Sequence, residues 1–166
     1  ASTAHRTHPD WAYGLPELSE ARRQAIAAAK RVANPGCHAT GFIVSVYPLV
    51  ATGILPTDYP LTCLSPTGYS GRGKKMIADY EQNKTEAMSA PGLYALGLSH
   101  KHLPEMTAVT GLTRAPIFCP FVDDYYKGLA TSVTLPNDML RPPVTAGEIR
   151  QKLADHYAGQ RFVTVA

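Results

Sequence analysis

The sequence predicts an α+β domain in which helices pack on a mixed, largely antiparallel sheet. Segments of strand period and segments of helical period are interleaved without the regular strand–helix–strand rhythm of a wound parallel sheet. With 166 residues, 45% of them hydrophobic and 17% charged, the chain can bury one real core, as a single domain or a domain with a short appendage.

Residues 1–16 read as irregular, anchored by Trp11 and Tyr13. Ser19 suits the N-cap of an Ala- and Arg-rich helix of about a dozen residues ending near Val32. In Asn34-Pro35-Gly36-Cys37-His38, Pro35 fixes its φ and Gly36 permits a tight backbone, so a sharp turn precedes the thiol. Beyond it Phe42, Ile43, Val46, Leu49 and Val50 share one helical face, and Pro48 should kink or end that helix. A turn-rich connector, 53–60, leads to a short apolar strand, 61–64, and a glycine-rich loop, 65–75, opens a helix reaching about Gln82. After the polar connector 83–91, residues 93–98 read as a strand running into Ser99-His100-Lys101-His102. Pro104 and Glu105 suit the first turn of a short helix ending before Gly111. Residues 117–122 and 129–135 are strand-like, the second alternating in period two. Thr145-Ala146-Gly147-Glu148 is a capping box for a helix with Ile149 and Leu153 on one face, and 162–165 reads as a closing strand.

Charge and cysteine usage narrow the function. The net charge of +3, from 16 basic and 13 acidic residues, is scattered apart from Arg22-Arg23, Lys30-Arg31 and Lys74-Lys75, which argues against nucleic acid. Three cysteines, at 37, 63 and 119, form neither a disulfide framework nor a CxxC pair, so a reducing, cytoplasmic setting is expected. No apolar run has the length of a membrane span, and no signal-peptide pattern opens the chain. The polar opening 1–10 and the strand-like close read as the ends of an excised domain.

Cys37 falls at or near a helix N-terminus, where unpaired N–H groups and the macrodipole favour a thiolate, the form a nucleophile needs. The alternative for a single cysteine is a small residue buried beside a turn. The Ser70-Gly71-Arg72-Gly73-Lys74 loop sets flexible N–H groups beside two cations and can hold a phosphate or carboxylate, or be a solvated turn; its spacing is not that of a P-loop. On an extended chain His100 and His102 point to one face, so both imidazoles can enter one cleft and serve as acid or base near neutral pH. One structural and one exposed histidine is the alternative, and a zinc site of His100, His102 and a cysteine is a third reading that lacks paired-ligand spacing. His5, His8 and His156 have no supporting neighbours, and Cys63 and Cys119 lie in apolar strands as core.

In order, Tyr13-Gly14-Leu15-Pro16-Glu17-Leu18, Ala33-Asn34-Pro35-Gly36-Cys37-His38-Ala39-Thr40, Gly68-Tyr69-Ser70-Gly71-Arg72-Gly73-Lys74 and His100-Lys101-His102-Leu103-Pro104-Glu105-Met106 resemble the N-acetyl-γ-glutamyl-phosphate reductases of arginine biosynthesis. The resemblance implies that Cys37 attacks an acyl phosphate to form a thioester, which hydride from NADPH reduces to the semialdehyde. It implies His100 as the acid–base, His102, Arg72, Lys74 and Lys127 on the substrate, and Ser70, Gly71 and Gly73 near the cofactor; no metal is implied. It also implies the catalytic C-terminal domain shared with glyceraldehyde-3-phosphate dehydrogenase, in a dimer or tetramer. Residues 1–32 would be the linker and helix leaving a missing dinucleotide-binding domain, which would carry most of the NADP(H) contacts, and 33–166 the catalytic and dimerisation domain. Such a fragment would fold without turning over. The sequence departs from many members at Tyr125-Tyr126-Lys127-Gly128, where they carry an arginine before the glycine, so one anion-binding cation would be a point charge and not a fork. Rivals are an aspartate-semialdehyde dehydrogenase-like enzyme, a cofactor-independent cysteine hydrolase, and a purely dimerising module.

Overall fold

The computed structural model describes residues 3–140 and 142–166; Ala1 and Ser2, part of the opening read as irregular, lie outside the described residues. A short 3-10 turn, Thr3–Arg6, precedes strand β1, Ala12–Tyr13, and Tyr13, Leu15 and Leu18 of the expected linker are buried in the same core as the rest. Helix α1, Glu20–Ala28, starts where Ser19 accepts the Arg22 N–H at 3.2 Å. It is shorter than expected because Val32–Ala33 leave it as strand β2, pairing in parallel with β1.

Helix α2, Cys37–Ala51, begins at the thiol and buries Ala39, Phe42, Ile43, Val46 and Leu49, as the periodicity implied. It packs against helices α4, Leu103–Thr110, and α5, Ala146–His156. Pro48 neither ends nor interrupts it. A proline has no N–H to give the carbonyl four residues earlier, and the Tyr157 hydroxyl donates to that Val44 oxygen at 2.7 Å instead. The capping box forms as expected: Glu148 N–H donates to Thr145 Oγ1 at 3.2 Å and Thr145 N–H to Glu148 Oε2 at 2.7 Å.

The main sheet is mixed, as expected for the fold class. Strands β3, Thr62–Gly68, β4, Gly92–Leu93, β5, Ile117–Asp123, and β6, Ser132–Thr134, lie in the order β4-β5-β3-β6. The outer pairings are antiparallel and the long central pairing, β3 on β5, is parallel. Residues 65–68, expected in the glycine-rich loop, extend β3 because Ser65 and Thr67 turn inward and are buried, as is Cys63. The loop proper is a 3-10 turn, Tyr69–Arg72, and Gly73 at φ +89° opens helix α3, Lys74–Gln82.

Three expected strands are shorter or absent, 129–135 among them, of which β6 keeps 132–134. Of 93–98 only Leu93 stays in a strand, because Ala95 and Leu98 take φ of 56° and 51° and turn the chain back. Residues 162–165 pair with no strand among the described residues, and Phe162 is exposed. Leu129 keeps a single bridge to Thr67, apart from β6.

Tyr157→Phe leaves the Val44 carbonyl without a donor and should cost about 1–3 kcal/mol in urea unfolding. In a Pro48→Ala background the substituted residue brings a backbone N–H that can take that carbonyl, so the same change should cost less. Equal costs in both backgrounds would show that the hydroxyl does not serve this carbonyl.

Candidate active site

Cys37 is the first residue of α2, exposed, with Gly36 as the cap. Gly36 is required for a reason other than backbone freedom. Its φ of −71° suits any L-residue, but a Cβ there would lie 2.4 Å from His102 Nε2 and 2.6 Å from Glu105 Oε1. The turn is sharp because buried side chains press on it.

Glu105, 1% exposed, ties three distant segments together. Its Oε1 accepts from Arg6 at 2.7 Å, and its Oε2 accepts from the Tyr13 hydroxyl at 2.8 Å and the Gly36 N–H at 3.0 Å. Arg6 also donates to the Asn34 carbonyl at 2.9 Å. Burial, and then the Glu105 charge, push the Tyr13 phenol above its ordinary value, so it stays a donor.

The thiol opens into a cavity of about 740 Å³ lined by Cys37, His38, His100, His102 and the cations Arg6, Arg72 and Lys101; no carboxylate lines it among the described residues. His100 and His102 do share one cleft, but from a turn: His102 caps α4 in helical conformation, and the two ring centroids are 4.7 Å apart. The His102 N–H donates to His100 Nδ1 at 3.2 Å, so in the neutral ring His100 carries its proton on Nε2. His102 is 3% exposed and its Nδ1 has no hydrogen-bond partner. Burial first, then the neighbouring imidazole of His100, Arg6, the imidazole of His38 and Lys101, push it down to about 3. His100 is lowered by burial, Lys101 and Arg72. Both rings are therefore neutral beside three cations.

Of the loop, Arg72 and Gly71 line the cavity, whereas Ser70, Gly73, Lys74 and Lys127 do not. Lys74 starts the exposed end of α3, and Lys127 sits in an exposed turn whose neighbours Tyr125 and Tyr126 accept from Tyr69 and Ser70 N–H groups. The Arg72 guanidinium lies 4.1 Å from the centroid of the Tyr94 ring.

Sequence reasoning passed over His38, Tyr94, Glu105 and Arg6. His38 is buried, bonded through Nδ1 to Ser65 Oγ at 2.7 Å and through Nε2 to the Tyr94 hydroxyl at 2.9 Å. Burial, then His100, Arg72 and Lys101, hold it down to about 4. Adjacency to the thiol was its only local signal. Among the described residues no group of three or more His, Cys, Asp or Glu side chains is placed to hold a metal ion, and no helix is long and apolar enough to cross a membrane.

Residues 37–166 match the family model described as semialdehyde dehydrogenase, dimerisation domain. Over all of its length the chain is 44% identical to an N-acetyl-γ-glutamyl-phosphate reductase of Trichormus variabilis, covering 53% of that protein. Over 99% of its length it is 48% identical to one of Sinorhizobium fredii, covering 54%. The chain thus spans about half the length of the curated relatives it matches. Among solved structures, aspartate semialdehyde dehydrogenase II from Vibrio cholerae superposes with a TM-score of 0.68 at 16% identity, over 92% of this chain and 51% of that one. The enzyme from Francisella tularensis gives 0.66 at 12% identity, over 91% and 53%. These two establish the shared fold.

Cys37 should be the most reactive of the three thiols, since Cys63 is buried and pushed up to about 12 by desolvation and then by Cys119. Limited alkylation at neutral pH with peptide mapping checks this, and preferential labelling of Cys63 or Cys119 would refute it.

The folded state favours neutral His38 and His102, so below pH 6.5 it binds fewer protons than the unfolded chain, whose rings keep the ordinary value. Unfolding free energy should therefore fall as pH drops from 6.5 toward 4 through His38, and toward 3 through His102. His38→Phe should flatten the upper part of that slope in urea unfolding measured at each pH. An unchanged slope would show that His38 is no more proton-averse folded than unfolded.

Proposed function

The chain belongs to the semialdehyde dehydrogenase dimerisation-domain family, and from that premise we propose that it is the catalytic half of an N-acetyl-γ-glutamyl-phosphate reductase. Such an enzyme converts N-acetylglutamyl 5-phosphate to N-acetylglutamate 5-semialdehyde and phosphate. The carrying observation is an exposed thiol at a helix start, in a cavity lined by cations and neutral imidazoles and, among the described residues, by no carboxylate. The identity of 44–48% to named reductases supports the substrate.

In this reading Cys37 Sγ attacks the acyl carbon, a thioester forms and phosphate leaves. Arg72, with Lys101 lining the same cavity, neutralises the phosphoryl charge that would otherwise oppose the approach of a thiolate, while Arg6 is paired with Glu105. His100 holds a proton at Nε2 for the oxygen that becomes charged on reduction, and takes it back as the sulfur is expelled. His102, buried beside it, orients the substrate.

The hydride comes from a nicotinamide cofactor, NADP(H), when it is bound. Gly71 fits its reactive end, because it lines the cavity, is exposed and carries no side chain there. Ser70 and Gly73 flank that position, and the rest of the dinucleotide would lie on the part of the relatives that this chain does not span. A reducing, cytoplasmic setting keeps the thiol free. The open sheet face, where Leu64, Leu93 and Ile117 are exposed, is the proposed contact between two copies, in line with a family model described by dimerisation.

The test is phosphate- and NADP-dependent oxidation of N-acetylglutamate 5-semialdehyde by the full-length protein. Cys37→Ser should abolish turnover, and His100→Ala should lower kcat by about 10²–10⁴. His102→Ala should act mainly on KM. A kcat loss that follows His102 would exchange the two roles, and turnover by the Cys37→Ser protein would overturn the thioester route.

A further inference from the structure

The residue after the thiol is locked into one hydrogen-bonding polarity. Ser65 has a single hydroxyl hydrogen, and the Ala130 carbonyl, 3.0 Å away, can only accept it. Ser65 Oγ must then accept from His38, so Nδ1 carries the ring hydrogen at 2.7 Å. A neutral ring protonated there has an acceptor at Nε2, and the Tyr94 hydroxyl donates to it at 2.9 Å. The chain therefore runs one way, from Tyr94 to His38 to Ser65 to Ala130.

Tyr94 needs such an anchor. It follows the two-residue β4 and precedes the positive-φ residues Ala95 and Leu98. Its backbone is tied by its N–H to the Pro120 carbonyl at 3.1 Å. On its ring lies Arg72, an exposed side chain that has no carboxylate partner among the described ion pairs. The Tyr94 ring face, with its hydroxyl also close to Arg72, holds this guanidinium toward the cavity, and the bond to His38 holds the ring.

We propose that His38 is a positioning residue: through Tyr94 it sets Arg72 as the receptor for the phosphate group that enters or leaves at Cys37. The inference rests on the reading of Arg72 as an anion-binding residue. Phosphate affinity, and not the chemical step, is what His38 controls. Glutamine can replace it in part, since its amide can accept from Tyr94 and donate to Ser65.

The experiment measures kcat and the KM for inorganic phosphate in the oxidative direction, on the full-length enzyme. Arg72→Met is the reference and should raise the phosphate KM. His38→Phe and Tyr94→Phe should each raise it by roughly 3- to 30-fold, the loss expected for a displaced cation–π contact, with a smaller effect on kcat. Combined, they should add little to either alone, and His38→Gln should recover part of the loss. If Arg72→Met leaves the phosphate KM unchanged, the anion role of Arg72 fails and the proposal falls with it. If Arg72→Met raises it but His38→Phe does not, the anion role stands and the assignment of His38 is overturned. Should His38→Phe fail to fold, Tyr94→Phe decides: a raised phosphate KM supports the chain, and an unchanged one refutes it.

Discussion

Three residues distant from Glu105 in sequence meet at its carboxylate, and the shape of the site depends on that meeting. Arg6 arrives from the N-terminal turn, Tyr13 from β1 and the Gly36 N–H from the start of α2. A buried carboxylate is stable only with its hydrogen-bonding capacity filled, and stripping partners from such a group costs about 3–5 kcal/mol. The Gly36 bond is the one that reaches the chemistry. It fixes the cap directly before Cys37, so the direction of the thiol is set by a residue on another helix. Gly36 must lack a side chain because Glu105 and His102 already occupy that space.

Around this clasp the molecule changes character along a single strand. The inward residues of β3 pass from Cys63, within the apolar core, to Ser65 and Thr67 beside the cavity. β3 and β5 are parallel, so their carboxyl ends lie at the same edge, where open sheets commonly place ligands. The N-terminus of α2 arrives there with its own unpaired N–H groups. Buried imidazoles beside three cations stay neutral because desolvation and like charge act in the same direction. The cavity thus keeps positive charge, unpaired among the described residues, in Arg72 and Lys101 and proton-exchanging capacity in its histidines.

Much of the fold was legible locally. Ser19 and the Thr145–Glu148 box form the caps their chemistry suggests, because capping needs only residues three apart. The helical face after Cys37 is buried as its period implied. The misjudged segments were those whose structure is set by partners distant in sequence. Residues 65–68 looked like loop because of Pro66 and Gly68, yet pairing with β5 keeps them extended. Residues 93–98 looked like strand from composition, but positive φ at Ala95 and Leu98 turns the chain off although β5 runs on beside it to Ile117. Pro48 would have broken a helix on its own, and Tyr157, just past the far end of α5, takes the carbonyl it leaves free.

By itself the sequence determined which residues can react. The thiol ahead of an apolar helical face, the histidine pair and the cation-bearing glycine loop are all local patterns of residue type and spacing. Only the tertiary structure decided which of them work together. It brought Arg72 and Gly71 to the cavity and left Lys74 and Lys127 outside it. It set His100 and His102 in a turn and not on a strand, and it joined His38 to Tyr94 and Glu105 to Gly36. The physical reason is that capping and periodicity act within a few residues, whereas burial and hydrogen-bond polarity depend on which distant segments close around a group.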